Sequence, residues 1–454
     1  MKKIISIVLS VIILASLITS TGMLNVSATD NSNIKWSFDS KTGTLTILGT
    51  GEMLGNYINE NPWSKYENDV TTVIINKGIT TIGYGAFIYF RNIRKVTIPN
   101  SVKSIKEAAF EDCSSLKNIV IPNSVVSIET QAFCNCKSLS NVKLSNSITK
   151  IQENAFLNCI SLKNITIPNS VNFIGAGAFA ECSNLTSVTI LNGVTSIGKK
   201  AFCDCTNLAS ITIPSTVNYI GETCFYLCTN LKTINVDKEN KFFYSKKGVL
   251  YYKDKQTTTL LFYSPANADT SFSVPDGVNK ISDYAFSNSN LKSIYISKSV
   301  KTLEMGFYRS FFSFHTFKNC NKLETINVDA DNENYCSENG IIYDKNKTVL
   351  IKYPPAKKDK SFIAPNTVLY VNTNAFNNCN NLINIKFFEP TTDSFFYIDS
   401  LAFYNCNNLE SVILPNLMTE ISSATFKCCK NLKNVVIPNS VSEIKEYAFA
   451  IAQV

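Results

Sequence analysis

Apolar positions recur along this chain with a period of 23 residues. Leu116, Leu139, Leu162, Leu185, Leu208 and Leu231 mark the period, Ile93 and Val70 extend it backward, and Leu409 and Leu432 resume it near the end. From residue 116 the unit reads Leu116-x-x-Ile119-x-Ile121-Pro122-Asn123-Ser124-Val125-x-x-Ile128-x-x-x-Ala132-Phe133-x-x-Cys136. Leu116, Ile119 and Ile121 place apolar and β-branched groups on a short extended segment. Pro122 lacks an N–H and ends that segment at a turn, whose backbone Asn123 and Ser124 satisfy. Val125 and Ile128 point back inward, and Ala132-Phe133 is read as a tight or 3₁₀-like bend that returns the chain to its start. A lone coil has an apolar lining and nothing to bury it against, so the lining is covered only when coils stack.

Gaps in the register read as insertions. Phe272-x-Val274-Pro275 and Phe362-x-Ala364-Pro365 match the strand core and place coil starts at Asp269 and Asp359, giving 15 starts in all. Two insertions, at about 237–268 and 329–358, resemble each other: Gly248-Val249-Leu250-Tyr251 precedes Leu260 to Pro265, and Gly340-Ile341-Ile342-Tyr343 precedes Val349 to Pro354. Each predicts two strands around a polar turn. A third, 305–315, carries Phe307, Tyr308, Phe311, Phe312 and Phe314, and a fourth, about 389–396, lies near Phe395-Phe396-Tyr397. Residues 30–69 fall outside the register. Trp36, Gly43-Thr44-Leu45-Thr46-Ile47 and Pro62-Trp63 predict a hairpin with aromatic packing that covers the first coil. The expected fold is a β-rich solenoid, one elongated array of about 15 coils spanning 70–454, with an N-terminal β cap at 29–69 and hairpin insertions. Val454 is the last residue of the last coil and no polar cap follows it. Stacked repeats need capping, which predicts a frayed last coil or self-association through that end.

The first residues read as an address. Lys2 and Lys3 precede an apolar run from Ile4 to Ile18, and Val26-Ser27-Ala28 has the small-residue pattern of a cleavage site. Residues 1–28 are therefore read as a secretory signal peptide; the run is short for a spanning helix of ~20 residues. The expected location is extracellular, free or held at the cell surface, with no transmembrane anchor. The net charge of +8 falls to +6 once Lys2 and Lys3 are removed, and no basic cluster points to nucleic acid.

At this point the repeat resembles the BspA-like leucine-rich repeat family of bacterial surface proteins, over about 70–454, and segment 30–69 is similar to that family's caps. The resemblance implies a right-handed leucine-rich solenoid, secretion or surface display, and adhesion to host or bacterial surface macromolecules. Fibronectin and fibrinogen are ligands reported for some members.

Ten of the 15 cysteines stand three residues before a coil start: Cys113, Cys136, Cys159, Cys182, Cys205, Cys228, Cys320, Cys379, Cys406 and Cys429. An exported, cysteine-rich chain suggests disulfides, but a column in register reads as small buried groups, reduced thiols in the core. Asn288 and Ala452 are taken as the equivalents in two coils that lack the cysteine. Cys134, Cys203, Cys224, Cys336 and Cys428 fall off the column and are expected to be exposed, Cys336 being the best candidate for a reactive thiol. The single histidine, His315, excludes a multi-histidine metal site. A His315–cysteine pair is read as less favoured than a surface or half-packed histidine. No metal site and no cofactor are expected, and no nucleophile elbow, zinc-protease or phosphate-loop motif is present.

The outward strand positions are Lys95 and Thr97, Asn118 and Val120, Asn141 and Lys143, Asn164 and Thr166, Ser187 and Thr189, Ser210 and Thr212, Thr233 and Asn235, then Ser293 and Tyr295, Thr325 and Asn327, Asn384 and Lys386. This predicts a mostly neutral sheet of hydroxyls and amides, either a ligand face for a glycan or extended protein segment or a merely solvated surface. Arg94, Lys117, Lys163, Lys232, Lys292 and Lys433 form a discontinuous basic rim beside it. Candidate binding residues are thus Lys95, Asn141, Lys143, Asn164, Tyr295 and Lys386 on the sheet, and the five aromatic residues at 307–314. The expected function is non-enzymatic binding of an extracellular protein or glycan; an enzyme or inhibitor acting through an insertion, or a structural scaffold, are the alternatives.

Overall fold

The computed structural model describes residues 27–28, 33–53, 55, 61–303, 315–390 and 395–452. The chain is a β-solenoid of about 16 turns with a 23-residue period. The additional turn comes from the N-terminal hairpin. Its strand Ile34–Asp39 pairs antiparallel with Thr44–Gly49, which runs parallel and in register with Thr72–Ile75. The hairpin is therefore both cap and first winding.

One turn shows how the sequence makes the rest. Ile119 is buried within strand Asn118–Val120, and after Pro122 the Val125 N–H bonds back to the Pro122 carbonyl at 3.0 Å. Ser127–Ile128 then pairs in parallel with the same segment of both neighbours. The bend at Ala132-Phe133 is closed by short-range bonds: Cys134 N–H to the Gln131 carbonyl at 3.0 Å and Cys136 N–H to the Phe133 carbonyl at 3.3 Å. Two residues of the bend, Gln131 and Asn135, have φ of 56° and 58°. Left-handed backbone favours Asn, Asp and Gly, which accounts for Asn154, Asn158, Gly177 and Asp204 at the same two places. Every Leu of the opening column is fully buried, as are Val70 and Ile93.

The chain divides into two compact units, residues 1–208 with 219–224, and residues 209–218 with 225–454. In the first, an eight-stranded sheet runs from Gly51–Glu52 to Tyr219–Ile220. A column of buried rings stacks inside it: Phe87, Phe110, Phe133, Phe156, Phe179 and Phe202 lie 5.3 to 5.6 Å apart, centroid to centroid. Trp63 closes this column, 6.2 Å from Phe87, with its indole N–H on the Ala86 carbonyl at 2.8 Å. Trp36 meets Trp63 edge-on at 6.5 Å. The paired tryptophans cover the apolar end, as their position predicts.

In the second unit the ring column runs Tyr353, Phe376, Phe403, Phe426 and Phe449. The two similar insertions hold three strands each rather than the two expected. Phe243–Lys246, Val249–Lys253 and Thr258–Tyr263 form one antiparallel set, and Tyr335–Glu338, Ile341–Asp344 and Val349–Lys352 the other. The last strand of each continues in parallel with the following turn, at Lys280–Ile281 and Tyr370–Val371. Each insertion therefore replaces the back of a turn, and Tyr263 and Tyr353 take the place of its phenylalanine. The unforeseen first strand is tethered by an asparagine. Asn240 donates to the Pro214 and Val217 carbonyls at 2.7 and 2.9 Å and accepts from Phe242 and Phe243; Asn332 repeats this with Ser297, Val300, Asn334 and Tyr335.

All ten column cysteines are buried, and all 15 are free thiols. Most column thiols donate to the carbonyl of the phenylalanine one turn back, as Cys136 Sγ does to Phe110 at 3.2 Å and Cys406 Sγ to Phe376 at 2.9 Å. Burial pushes Cys182 up to about 12 and Cys320 up to about 11, which suppresses the thiolate that disulfide exchange needs. Two assignments are corrected. Cys134 and Cys224 are buried: Cys224 occupies the alanine place beside Phe225, and Cys134 follows Phe133 inside the bend. In the turn before Leu291 the cysteine place belongs to Ser289, 3.5 Å from Cys320 Sγ, because that bend is one residue shorter. Asn288 instead takes the left-handed place at φ 61° and accepts from Asn319.

Candidate ligand-binding faces

Strand pleating sends every second side chain outward, so the sheet faces carry the candidate residues. In the first unit Lys95, Asn141, Lys143 and Asn164 are exposed on three of four successive turns, Asn118 and Val120 holding the fourth. Register places Asn141 beside Asn118 and Lys143 beside Val120. The amides bond to one another along the array: Asn141 Nδ2 donates to Asn118 Oδ1 at 2.7 Å, and Ser187 Oγ to Asn164 Oδ1 at 2.7 Å. This face satisfies much of its own polarity. The basic rim is partly neutralised too, Lys292 lying 3.7 Å from Glu324 and Lys433 3.8 Å from Glu410.

The second unit differs. Tyr295 is exposed and its hydroxyl donates to Asp329 at 2.8 Å, which raises its pKa. Lys386 holds its ammonium 4.5 Å above the Phe388 ring. Lys386 sits in a register row with Ile363, Ile413 and Val436. These three are 60%, 38% and 57% exposed, and Phe388 is exposed beside them. The equivalent places on earlier turns hold Thr166, Thr189 and Asn235. Extending the outward column two residues past each later strand's start would have found this apolar row from sequence.

The aromatic insertion Phe307, Tyr308, Phe311, Phe312 and Phe314 lies outside the described residues, as does the signal segment apart from Ser27 and Ala28. His315, at the edge of that insertion, is half-buried. Its ring stacks on Tyr284 at 4.8 Å and Nδ1 lies 3.4 Å from Asp283 Oδ2, so its recorded neighbours are a phenol and a carboxylate. Cys336 is partly buried, donates to the Asp344 carbonyl at 3.2 Å and has its pKa raised by burial. That environment quenches the thiol expected to be most reactive. Among the described residues no group of three or more His, Cys, Asp or Glu converges as a metal would require, and no helix is long and apolar enough to cross a membrane.

Comparisons agree with this architecture. The family model described as "BspA type Leucine rich repeat region (6 copies)" matches residues 56–186, 149–261, 254–349 and 356–453. Among solved structures, a leucine rich cell surface protein from Faecalibacterium prausnitzii A2-165 is 24% identical over 92% of this chain and 95% of its own, with a TM-score of 0.53. The pneumococcal vaccine antigen PcpA is 20% identical over 95% of each chain, with a TM-score of 0.51. A comparison with curated proteins finds no match. With the repeat model covering most of its length and the same winding in the coordinates, the chain belongs to the BspA-type leucine-rich repeat family.

Proposed function

We propose that the chain is a secreted, non-enzymatic binding protein that adheres to an extracellular protein through the sheet face around Ile363, Lys386, Ile413 and Val436. The observation that carries this reading is the exposed apolar row itself. Isolated surface apolar groups are ordinary, but Ile363, Ile413 and Val436 share one register row with Lys386 between the first two, a clustering that marks an interaction surface, and a sheet face offers it without rearrangement. Lys386 and Phe388 add a cation and an aromatic ring, residue types suited to a protein contact. The family's membership among surface proteins and the leader-like first 28 residues fit export. The self-bonded amides of the first unit support a solvated role for that part of the sheet.

The experiment is surface plasmon resonance of the secreted protein on immobilised fibronectin and fibrinogen, with the variant Ile363→Ser/Ile413→Ser/Val436→Ser. Binding by the wild type and at least a tenfold loss in the variant, ~1.4 kcal/mol or more, is the expected result. Equal binding by both proteins places adhesion elsewhere; amino-terminal sequencing of the exported chain is expected to begin at Thr29.

A further inference from the structure

The first hairpin insertion forms one wall of a cleft of about 470 Å³, lined by Tyr244, Lys253, Thr258, Pro275, Asp276, Gly277 and Val278. That size lies within the ~300–1,000 Å³ range of small-molecule sites. Its chemistry is specific. Tyr244 is 39% exposed, yet its inner face lies flat on the buried Tyr251 ring, 4.8 Å away and 9° from parallel. The outer face of a fixed aromatic ring is thus turned to solvent. Phe242, two residues earlier on the same edge, is also exposed.

The opposite wall is polar and held in place. Asn279 accepts from the Thr258 N–H at 3.0 Å and donates its own N–H to the Thr258 carbonyl at 2.8 Å, which ties the hairpin to the turn after Pro275. Asp254 closes the hairpin tip by accepting from Gln256 and Thr257 at 2.8 and 2.7 Å. The Gly277 N–H bonds to Ser299 Oγ at 2.9 Å, and the space a Cβ would occupy on Gly277 is open. Asp276 and Lys253 are both exposed, and neither enters an ion pair among the described residues.

We infer that this cleft is a subsite for a neutral glycan. A pyranose presents a C–H face that packs on an aromatic ring and equatorial hydroxyls that both donate and accept. Tyr244 supplies the platform. Asp276 accepts hydroxyl protons, Lys253 donates, and Thr258 does either. One carboxylate opposite one ammonium leaves no excess of sign, which selects against polyanions. Because the walls are fixed before binding, little ordering is needed when a sugar enters. The second insertion has no counterpart: Cys336 stands where Tyr244 does and packs inward. The site is separate from the apolar row, so either reading can fail alone.

The test is saturation-transfer NMR on the full chain with cellobiose, maltose, lactose and N,N′-diacetylchitobiose. The expected result is binding of at least one disaccharide with Kd below about 10 mM, strongest transfer to one C–H face, and at least tenfold weakening by either Tyr244→Ala or Asp276→Asn. Cys336→Ala is expected to leave binding unchanged and serves as the matched control. The proposal is overturned if none of the four binds, if binding survives both cleft variants within twofold, or if the cleft takes up a peptide while the sugars stay inert.

Discussion

Between Asp237 and Ser264, and again between Asp329 and Pro354, the chain makes the same departure from its winding. An aspartate caps a turn, accepting from Glu239 in one and Asp331 in the other. An asparagine three residues later ties the loop to the previous turn. A two-residue bend with φ of 49° and 75° at Lys247-Gly248, or 51° and 77° at Asn339-Gly340, sends the chain back. These are the positive values a tight hairpin turn requires. Both middle strands carry a register shift at the same place, and a tyrosine that joins the ring column ends the third strand of one, Tyr263, and directly follows that of the other, Tyr353. The differences lie in the side chains and in the hairpin tip, which is longer in the first copy: 15 positions separate Gly248 from Tyr263 and 13 separate Gly340 from Tyr353. Outside, Tyr244 and its cleft face Cys336 and a Glu338–Lys347 ion pair of 2.7 Å. Inside, Phe262 in one is Lys352 in the other. The pair teaches that the backbone device and the recognition chemistry are separable: one scaffold is kept twice, and only one copy is dressed for a ligand.

The largest effects are expected where the two copies agree. Tyr263→Ala and Tyr353→Ala each remove a ring from the stack and should cost about 3–5 kcal/mol in urea unfolding. Replacement by Phe should split them. The Tyr353 hydroxyl bonds to Asp359 at 3.2 Å, whereas the Tyr263 hydroxyl is buried without a partner among the described residues. Tyr353→Phe is expected to destabilise and Tyr263→Phe to be neutral or stabilising. Equal effects would mean the two plugs are not equivalent as described.

Lys352 is next. It is 5% exposed, its ammonium donates to the Asn374 carbonyl at 2.7 Å, and burial lowers its pKa. Its charge is costly where Phe262 is not, so Lys352→Met should stabilise by ~1–4 kcal/mol at pH 7. The unfolded chain holds this proton more tightly than the native one. Wild-type stability relative to the variant should therefore rise with pH between the lowered native value and about 10.4. Parallel unfolding curves across that window would contradict it. Smallest is the bend. A Cβ on Gly340 would meet Thr325 Oγ1 at 2.4 Å, while on Gly248 its nearest neighbours are the Lys232 carbonyl at 3.1 Å and Ser264 Cβ at 3.3 Å. Both substitutions strain a left-handed residue by roughly 1–2 kcal/mol, and thermal melts should rank Gly340→Ala below Gly248→Ala.

What the sequence disclosed follows from how each feature repeats. Leu116 and its successors, the Ile-x-Ile-Pro strands and Cys136 with its column recur at fixed spacing, so one position read many times gives the winding and the core. Asn240 and Asn332 were hidden because their partners are main-chain carbonyls of the preceding turn, which leave no mark in a sequence. Ser289 was hidden by one missing residue in a bend. Cys134 and Cys224 were misplaced because a residue beside Phe133 or Phe225 is enclosed by the bend rather than by the column. On the surface, Tyr295 and Lys386 were legible from alternation alone, and the row Ile363, Ile413 and Val436 was open to the same reading, each lying four residues after its coil start as Lys386 does. The cleft at Tyr244 needed contact between segments that share no periodicity.

The thiol-to-carbonyl bonds have a mechanical corollary. Cys136 grips Phe110, Cys159 grips Phe133, and each such link reaches back a single winding. Pulled along its contour, a winding held this way has no disulfide among the described residues to share the load, so it yields locally. Each released winding of 23 residues would lengthen the molecule by roughly 80 Å and leave its neighbours intact, giving a tether that stretches in steps instead of snapping.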